Sequence, residues 1–112
     1  MSKPATRSYS RHSLDAVALL GHMIRLERID RQMTLAELAA RADISRGLLQ
    51  RIESGDPGCS IGAAFEVAVI VGVRLFEADQ SRLATTIASH QKTLALLPQK
   101  VRSSRKNVKD DF

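Results

Sequence analysis

Apolar residues in this chain recur at helical spacing rather than in alternation. Leu14, Val17, Leu20 and Ile24 follow one another every three or four residues, and Ser13 can cap their start. The spacing predicts a first helix running to roughly Arg31. Thr34 followed three residues later by Glu37 is a capping-box pattern. It opens a second helix to about Ala42, with Leu35, Leu38, Ala39 and Ala42 on one face. A tight break at Asp43-Ile44 leads to Ser45, which caps a third short helix ending at Gly55. Asp56, Pro57 and Gly58 form a loop by composition. Ser60 can cap a fourth helix to about Val71, burying Ile61, Ala64, Phe65 and Ala68. Gly72 closes it, and Val73, Leu75 and Phe76 return to the core. Asp79 caps a fifth helix that stops before Pro98 and carries Leu83, Ile87 and Leu94. No stretch alternates like a strand and no internal repeat is visible, so the expected fold class is all-α with five helices.

Two short capped helices joined by a tight turn, with longer helices around them, match a helix-turn-helix. With about 100° of rotation per residue, Arg46, Gln50, Ser54, Gly47 and Arg51 fall in that order around one side of the third helix. Leu48, Ile52 and Leu49 fall on the opposite side. One face of this helix is therefore apolar, and the other carries two arginines, an amide, a serine and a glycine without an acid. A merely solvated face usually mixes charge signs. Guanidinium and amide groups together suit bidentate hydrogen bonding to base edges in a major groove. Glu53 falls on the border beside Leu49, poorly placed for a groove and well placed for an internal ion pair.

Composition narrows the classes. The 112 residues suit one small domain with tails, and 44% hydrophobic content excludes a wholly disordered chain. Aromatics are only 4%, with no Trp, which argues against stacking platforms for single-stranded nucleic acid. One Cys excludes an internal disulfide framework and fits a reducing compartment. The longest apolar run, Phe65 to Val73, is interrupted by Glu66 and is too short to span a membrane. The first residues lack the apolar core of a secretion signal. The net charge of +5 first suggests a polyanionic partner, yet it is unevenly spread. Residues 1–11 carry three bases and no acid, and residues 99–112 carry five bases and two acids, which leaves −1 for everything between. The positive charge lies at the two ends, and the signal for DNA is local to the third helix.

The stretches Leu20 to Arg28, Met33 to Ala42 and Ile44 to Gly55 together resemble the lambda-repressor/Cro (XRE) helix-turn-helix family, with the likeness running on through Phe76. The resemblance implies a five-helix DNA-binding domain that dimerises on palindromic operator DNA. It implies DNA contacts at Ser45, Arg46, Gly47, Gln50 and Arg51, and a structural ion pair between Arg28 and Glu53. Independently of the resemblance, backbone amides at the capped helix start after Thr34 can hold a phosphate. Two positions depart from the family pattern. Leu35 stands where many members have a phosphate-contacting Gln, and Gly47 stands where a base-reading side chain is common. A narrower likeness, carried by Gly55 to Gly62, Val69 to Phe76, Leu97 to Arg102 and the ending Asp110-Asp111-Phe112, is to HipB-like antitoxins. That group implies a HipA-like serine/threonine kinase toxin as a second partner and repression of the shared operon. A stand-alone phage- or host-type repressor is the alternative.

The expected organisation is a disordered basic arm over 1–12, a helix-turn-helix domain over 13–78, a dimerising helix over 79–98 and a basic disordered tail over 99–112. The Leu83, Ile87 and Leu94 stripe is the candidate homodimer surface. His12, His22 and His90 show no i, i+4 pair, so neither a metal nor a cofactor is expected, nor a membrane partner. No paired carboxylates, phosphate loop or nucleophile–base pair suggests an enzyme. Cys59, beside a helix N-cap, sits where a thiol pKa can be lowered, although an incidental thiol is the simpler reading. Met23 and Met33 read as packing residues. The expected setting is the bacterial cytoplasm, at the nucleoid.

Overall fold

A computed structural model of the chain describes residues 8–101. Among them are five α-helices and no strand: α1 (Arg11–Asp30), α2 (Leu35–Ala42), α3 (Arg46–Glu53), α4 (Ile61–Ile70) and α5 (Gln80–Ala95), with a 3₁₀ turn at Leu75–Glu77 before α5. The all-α class expected from the apolar spacing is the one observed. The chain divides into two compact units between Glu77 and Ala78.

Every helix start is closed by a side-chain acceptor, because the first backbone N–H groups of a helix have no intrahelical partner. Thr34, Ser45, Ser60 and Asp79 cap α2 to α5. At α1 the expectation is corrected. Ser10, not Ser13, is the N-cap, and its Oγ accepts from the Ser13 amide at 3.1 Å. Residues 11 and 12 thus belong to the helix rather than to an arm. Residues 1–7 and 102–112, which hold most of the expected arm and tail, lie outside the described residues.

The first unit is built around Ile24 of α1, Leu38 of α2, Leu49 of α3, and Val67 and Val71 at α4, all fully shielded from solvent. Ala39, Ile52, Ala68 and Val73 complete this core, and Leu20, Met33 and Ile44 pack against it. Burying each Leu, Ile or Val contributes about 1.5–3 kcal/mol. That burial holds eight-residue helices such as α2 and α3, which are too short to persist alone. Between them Asp43 turns left-handed (φ 57°, ψ 46°), and the Ile44 amide reaches back to the Ala39 carbonyl at 3.0 Å. Arg31 Nε donates to the Val71 carbonyl at 2.7 Å and ties the end of α1 to the end of α4.

Two glycines permit close approach. A Cβ on Gly21 of α1 would lie 2.5 Å from the Ile52 carbonyl oxygen and 2.8 Å from that of Glu53, so only glycine lets α1 meet the end of α3. Gly55 turns the chain out of α3 at φ +82°, where its Cα side faces the Ala18 backbone.

Two expected core residues are outside it. Ile61 is 70% exposed, because α4 turns Val67 and Ala68 inward and leaves its first residue at the rim. Phe76 is 76% exposed: its left-handed backbone (φ 59°) directs the ring outward, edge-on to Phe65 at a centroid distance of 6.2 Å. The second unit contains α5, on which Ile87 and Leu94 are exposed and Leu83 is half-buried. No helix among the described residues is long and apolar enough to cross a membrane.

Candidate nucleic-acid interface

Residue chemistry along α3 sorts by exposure. Leu49, Ile52 and Glu53 are buried, whereas Arg46, Gly47, Gln50, Arg51 and Ser54 are exposed. Ser45 accepts the Leu48 amide at 3.0 Å and keeps its hydroxyl proton for an outside acceptor. No carboxylate pairs with Arg46 among the described residues.

Glu53 closes α3, where the helix dipole disfavours an acid. Its buried charge is held by Arg28 of α1. Arg28 Nε donates to Oε2 at 2.7 Å and Nη2 to Oε1 at 3.1 Å, a bidentate pair. Arg28 Nη1 also donates to the Met33 carbonyl at 2.9 Å. One guanidinium therefore fastens α1, the α1–α2 connection and the end of α3, which fixes how α3 is presented. Among the described residues no buried side-chain nitrogen or oxygen lacks a partner.

The acid-free face read along α3 receives an acid from elsewhere. Arg51 Nε donates to Asp56 Oδ2 at 2.8 Å, and Asp56 Oδ1 accepts the Gly58 amide at 2.8 Å. The carboxylate favours the charged form of Arg51, raising its pKa above the ordinary value. This contact crosses a helix end and a turn, so a helical projection does not reveal it.

Arg25 is a second residue missed by spacing arguments. It lines a groove of about 290 Å³ with Leu35, Gln50 and Ser54, placing a further cation beside the exposed α3 face. The only sequence signal is its place on α1, one turn before Arg28. Leu35, in place of the expected Gln, makes one wall of this groove apolar.

At α2 the capping box is complete. Thr34 Oγ1 accepts the Glu37 amide at 3.0 Å and Glu37 Oε1 accepts the Thr34 amide at 2.8 Å. Hydrogen bonding to the carboxylate, first from the Thr34 amide and then from the Thr34 hydroxyl, holds the Glu37 carboxyl below its ordinary pKa. The amide and the hydroxyl oxygen of Thr34 are thereby engaged within the box, and its carbonyl accepts the Leu38 amide at 3.1 Å. A phosphate approaching this helix start would find the Leu35 and Ala36 amides and also the Glu37 carboxylate.

Of the two readings of Cys59, the lowered thiol pKa is the one that does not hold. Burial raises its thiol pKa, outweighing the opposing pull of Arg51, so the N-cap setting does not activate it. It borders an apolar cavity of about 320 Å³ with Val17, Leu20, Ile52, Ile61 and Phe65. The outer side of α1 also exposes Leu19, Met23, Leu26 and Ile29, so Met23 is not a core residue. The seven-residue interval from Leu19 to Leu26 is the signal for this second stripe. No group of three potential metal ligands occurs among the described residues.

Residues 24–77 match a family model described as helix-turn-helix. The matched span starts in α1, contains α2, α3 and α4 and ends with the 3₁₀ turn, so α5 lies outside it. Comparison with curated proteins and with solved structures found no match.

Proposed function

We propose that this chain, whose residues 24–77 carry an XRE-type helix-turn-helix domain of the DNA-binding transcription regulators, is a dimeric, sequence-specific repressor. The observation that carries the reading is the segregation on α3. Arg46, Gln50 and Arg51 are exposed while Glu53 is withdrawn to Arg28. With α3 in the major groove from Ser45 onward, Gln50 and Arg51 read base edges, and Arg46 and Arg25 meet the backbone. Repression follows from occlusion of the promoter, with no turnover and no cofactor. A second copy joins through Leu83, Ile87 and Leu94 of α5, and the two-fold axis sets half-sites about one helical turn apart.

The operon reading goes one step further. The likeness to HipB-like antitoxins in Gly55 to Gly62, Val69 to Phe76 and the C-terminal residues supports a HipA-like kinase toxin as the protein partner, held inactive in the complex. Co-purification with the product of the neighbouring gene, followed by footprinting on the shared promoter, tests both parts. Recovery of a kinase and a symmetric footprint is the expected result. A footprint without a partner would leave a stand-alone repressor. Without protection of any promoter site, the DNA reading itself fails. On the protected sequence Arg51→Ala is expected to lower affinity roughly 5- to 150-fold, and far less on random duplex.

A further inference from the structure

We propose that Asp56 is a positioning residue for base recognition: it occupies Nε of Arg51 and leaves the terminal Nη1/Nη2 edge as the part that meets DNA. The inference rests on reading α3 as the recognition helix.

The carboxylate is held independently of the arginine. Its Oδ1 accepts the Gly58 amide at 2.8 Å, and the Asp56 amide donates to the Arg51 carbonyl at 3.0 Å. Gly55, at φ +82°, makes the turn that brings the loop back alongside α3. Asp56 Oδ2 then stands 2.8 Å from Arg51 Nε. Guanidinium has five N–H donors in a rigid plane, and with Nε engaged the other four remain on the two terminal nitrogens. That end is a fork of parallel donors, the shape that meets O6 and N7 of guanine together.

Charge adds to geometry. A phosphate responds chiefly to net charge, whereas a base edge responds to directed donors. A carboxylate beside Arg51 cancels much of the charge a phosphate would meet and leaves the terminal donors in place. Arg46, with no carboxylate partner among the described residues, is the contrasting case and suits a phosphate. The side chains of Arg51 and Asp56 remain 54% and 37% exposed, and ion pairs so open to water add little stability. The consequence of this pair is orientation. An unrestrained arginine must lose its rotamer freedom on binding, a loss that bounds the gain from pre-ordering at roughly 30-fold.

The test uses the full chain and a duplex pool of random sequence, from which wild type selects its motif. Asp56→Asn keeps an oxygen for the Gly58 amide but turns an NH2 donor toward the Nε donor, so it removes the pairing and spares the turn. Asp56→Ser removes the carboxylate by a second route, and circular dichroism checks that each variant is folded. Both variants are expected to lower the ratio of cognate to random affinity by roughly 3- to 30-fold. The loss should fall at the base positions that Arg51→Ala relaxes, and Asp56→Asn with Arg51→Ala should relax them no further. Affinity for random duplex should hold or rise, and the slope of log affinity against log salt should steepen by up to about one, as a freed cation reaches a phosphate. The inference is overturned if folded Asp56 variants keep the base preference, or lose cognate and random affinity alike. A motif indifferent to Arg51→Ala also overturns it while sparing the reading of α3. If wild type selects no motif, that reading falls first and takes the inference with it.

Discussion

The Arg28–Glu53 pair makes the sharpest stability prediction. Both residues are buried, 8% and 7% exposed, and three hydrogen bonds satisfy the guanidinium and the carboxylate. Removing one partner by Glu53→Ala or Arg28→Ala strands the opposite charge in the interior, which costs about 3–5 kcal/mol. A domain of this size is stable by only about 5–15 kcal/mol, so either change consumes a large share. Removing both partners also removes the stranded charge. The double variant is therefore expected to lose about as much as one single variant, a coupling of roughly 2 kcal/mol or more. Replacement by apolar residues of similar size, Arg28→Met with Glu53→Leu, should recover most of the loss. With no Trp in the chain, urea unfolding followed by far-UV circular dichroism is the suitable assay. The losses should change little as salt is raised, because a buried pair is weakly screened. Single losses below about 1 kcal/mol, or losses that simply add in the double variant, would refute the reasoning and place the pair among solvated surface contacts.

Three further outcomes follow from particular contacts. Gly21→Ala should destabilise by about 1 kcal/mol or more, because its Cβ would press on the backbone carbonyls of Ile52 and Glu53, whereas Gly47→Ala should stabilise by about 0.5–1 kcal/mol. The nearest atom to a Cβ on Gly47 is the Ser45 Oγ at 4.0 Å, so equal signs in urea unfolding would contradict this account. Glu37 has a depressed pKa in the fold, so its contribution is present above the ordinary glutamate value of about 4.3 and fades as pH falls through the lower folded value. Unfolding curves of wild type and Glu37→Gln should converge across that acidic window, and parallel curves would refute the linkage. The Cys59 thiol, raised by burial, should react slowly with iodoacetamide at neutral pH and faster only above the ordinary thiol range of about 8.5. Labelling at the rate of a free thiol would count against it.

Much of this molecule could be read locally. Helix caps are contacts over three residues and helical faces repeat every three or four, so Thr34, Ser45, Ser60 and Asp79 mark their helices without knowledge of the fold. The division of α3 into an apolar and a basic face is local in the same sense. Local pattern misleads where two local solutions are equivalent or where packing chooses between them. Ser10 and Ser13 are both capping residues one turn apart, and the chain uses the first. Ile61 and Val67 are equally apolar, and only the side of α4 that meets the core separates them. Phe76 reads as a core residue until a left-handed backbone turns it outward.

The deepest division concerns two carboxylates of similar chemistry. The order of residues places Glu53 at the border of the α3 wheel and Asp56 in a Pro-Gly loop, and a one-dimensional pattern goes no further. Glu53 meets an arginine 25 residues away because α1 and α3 close upon Gly21, where no side chain keeps their backbones apart. Asp56 meets Arg51 because the chain turns left-handed at Gly55 and folds back beside the helix it has just left. The residues that form and cap each helix act over one or two turns, so the chain's own order declares them. Which charge is buried as a brace and which is held at the surface beside α3 depends on how close two backbones come, and that is a property of the packed molecule.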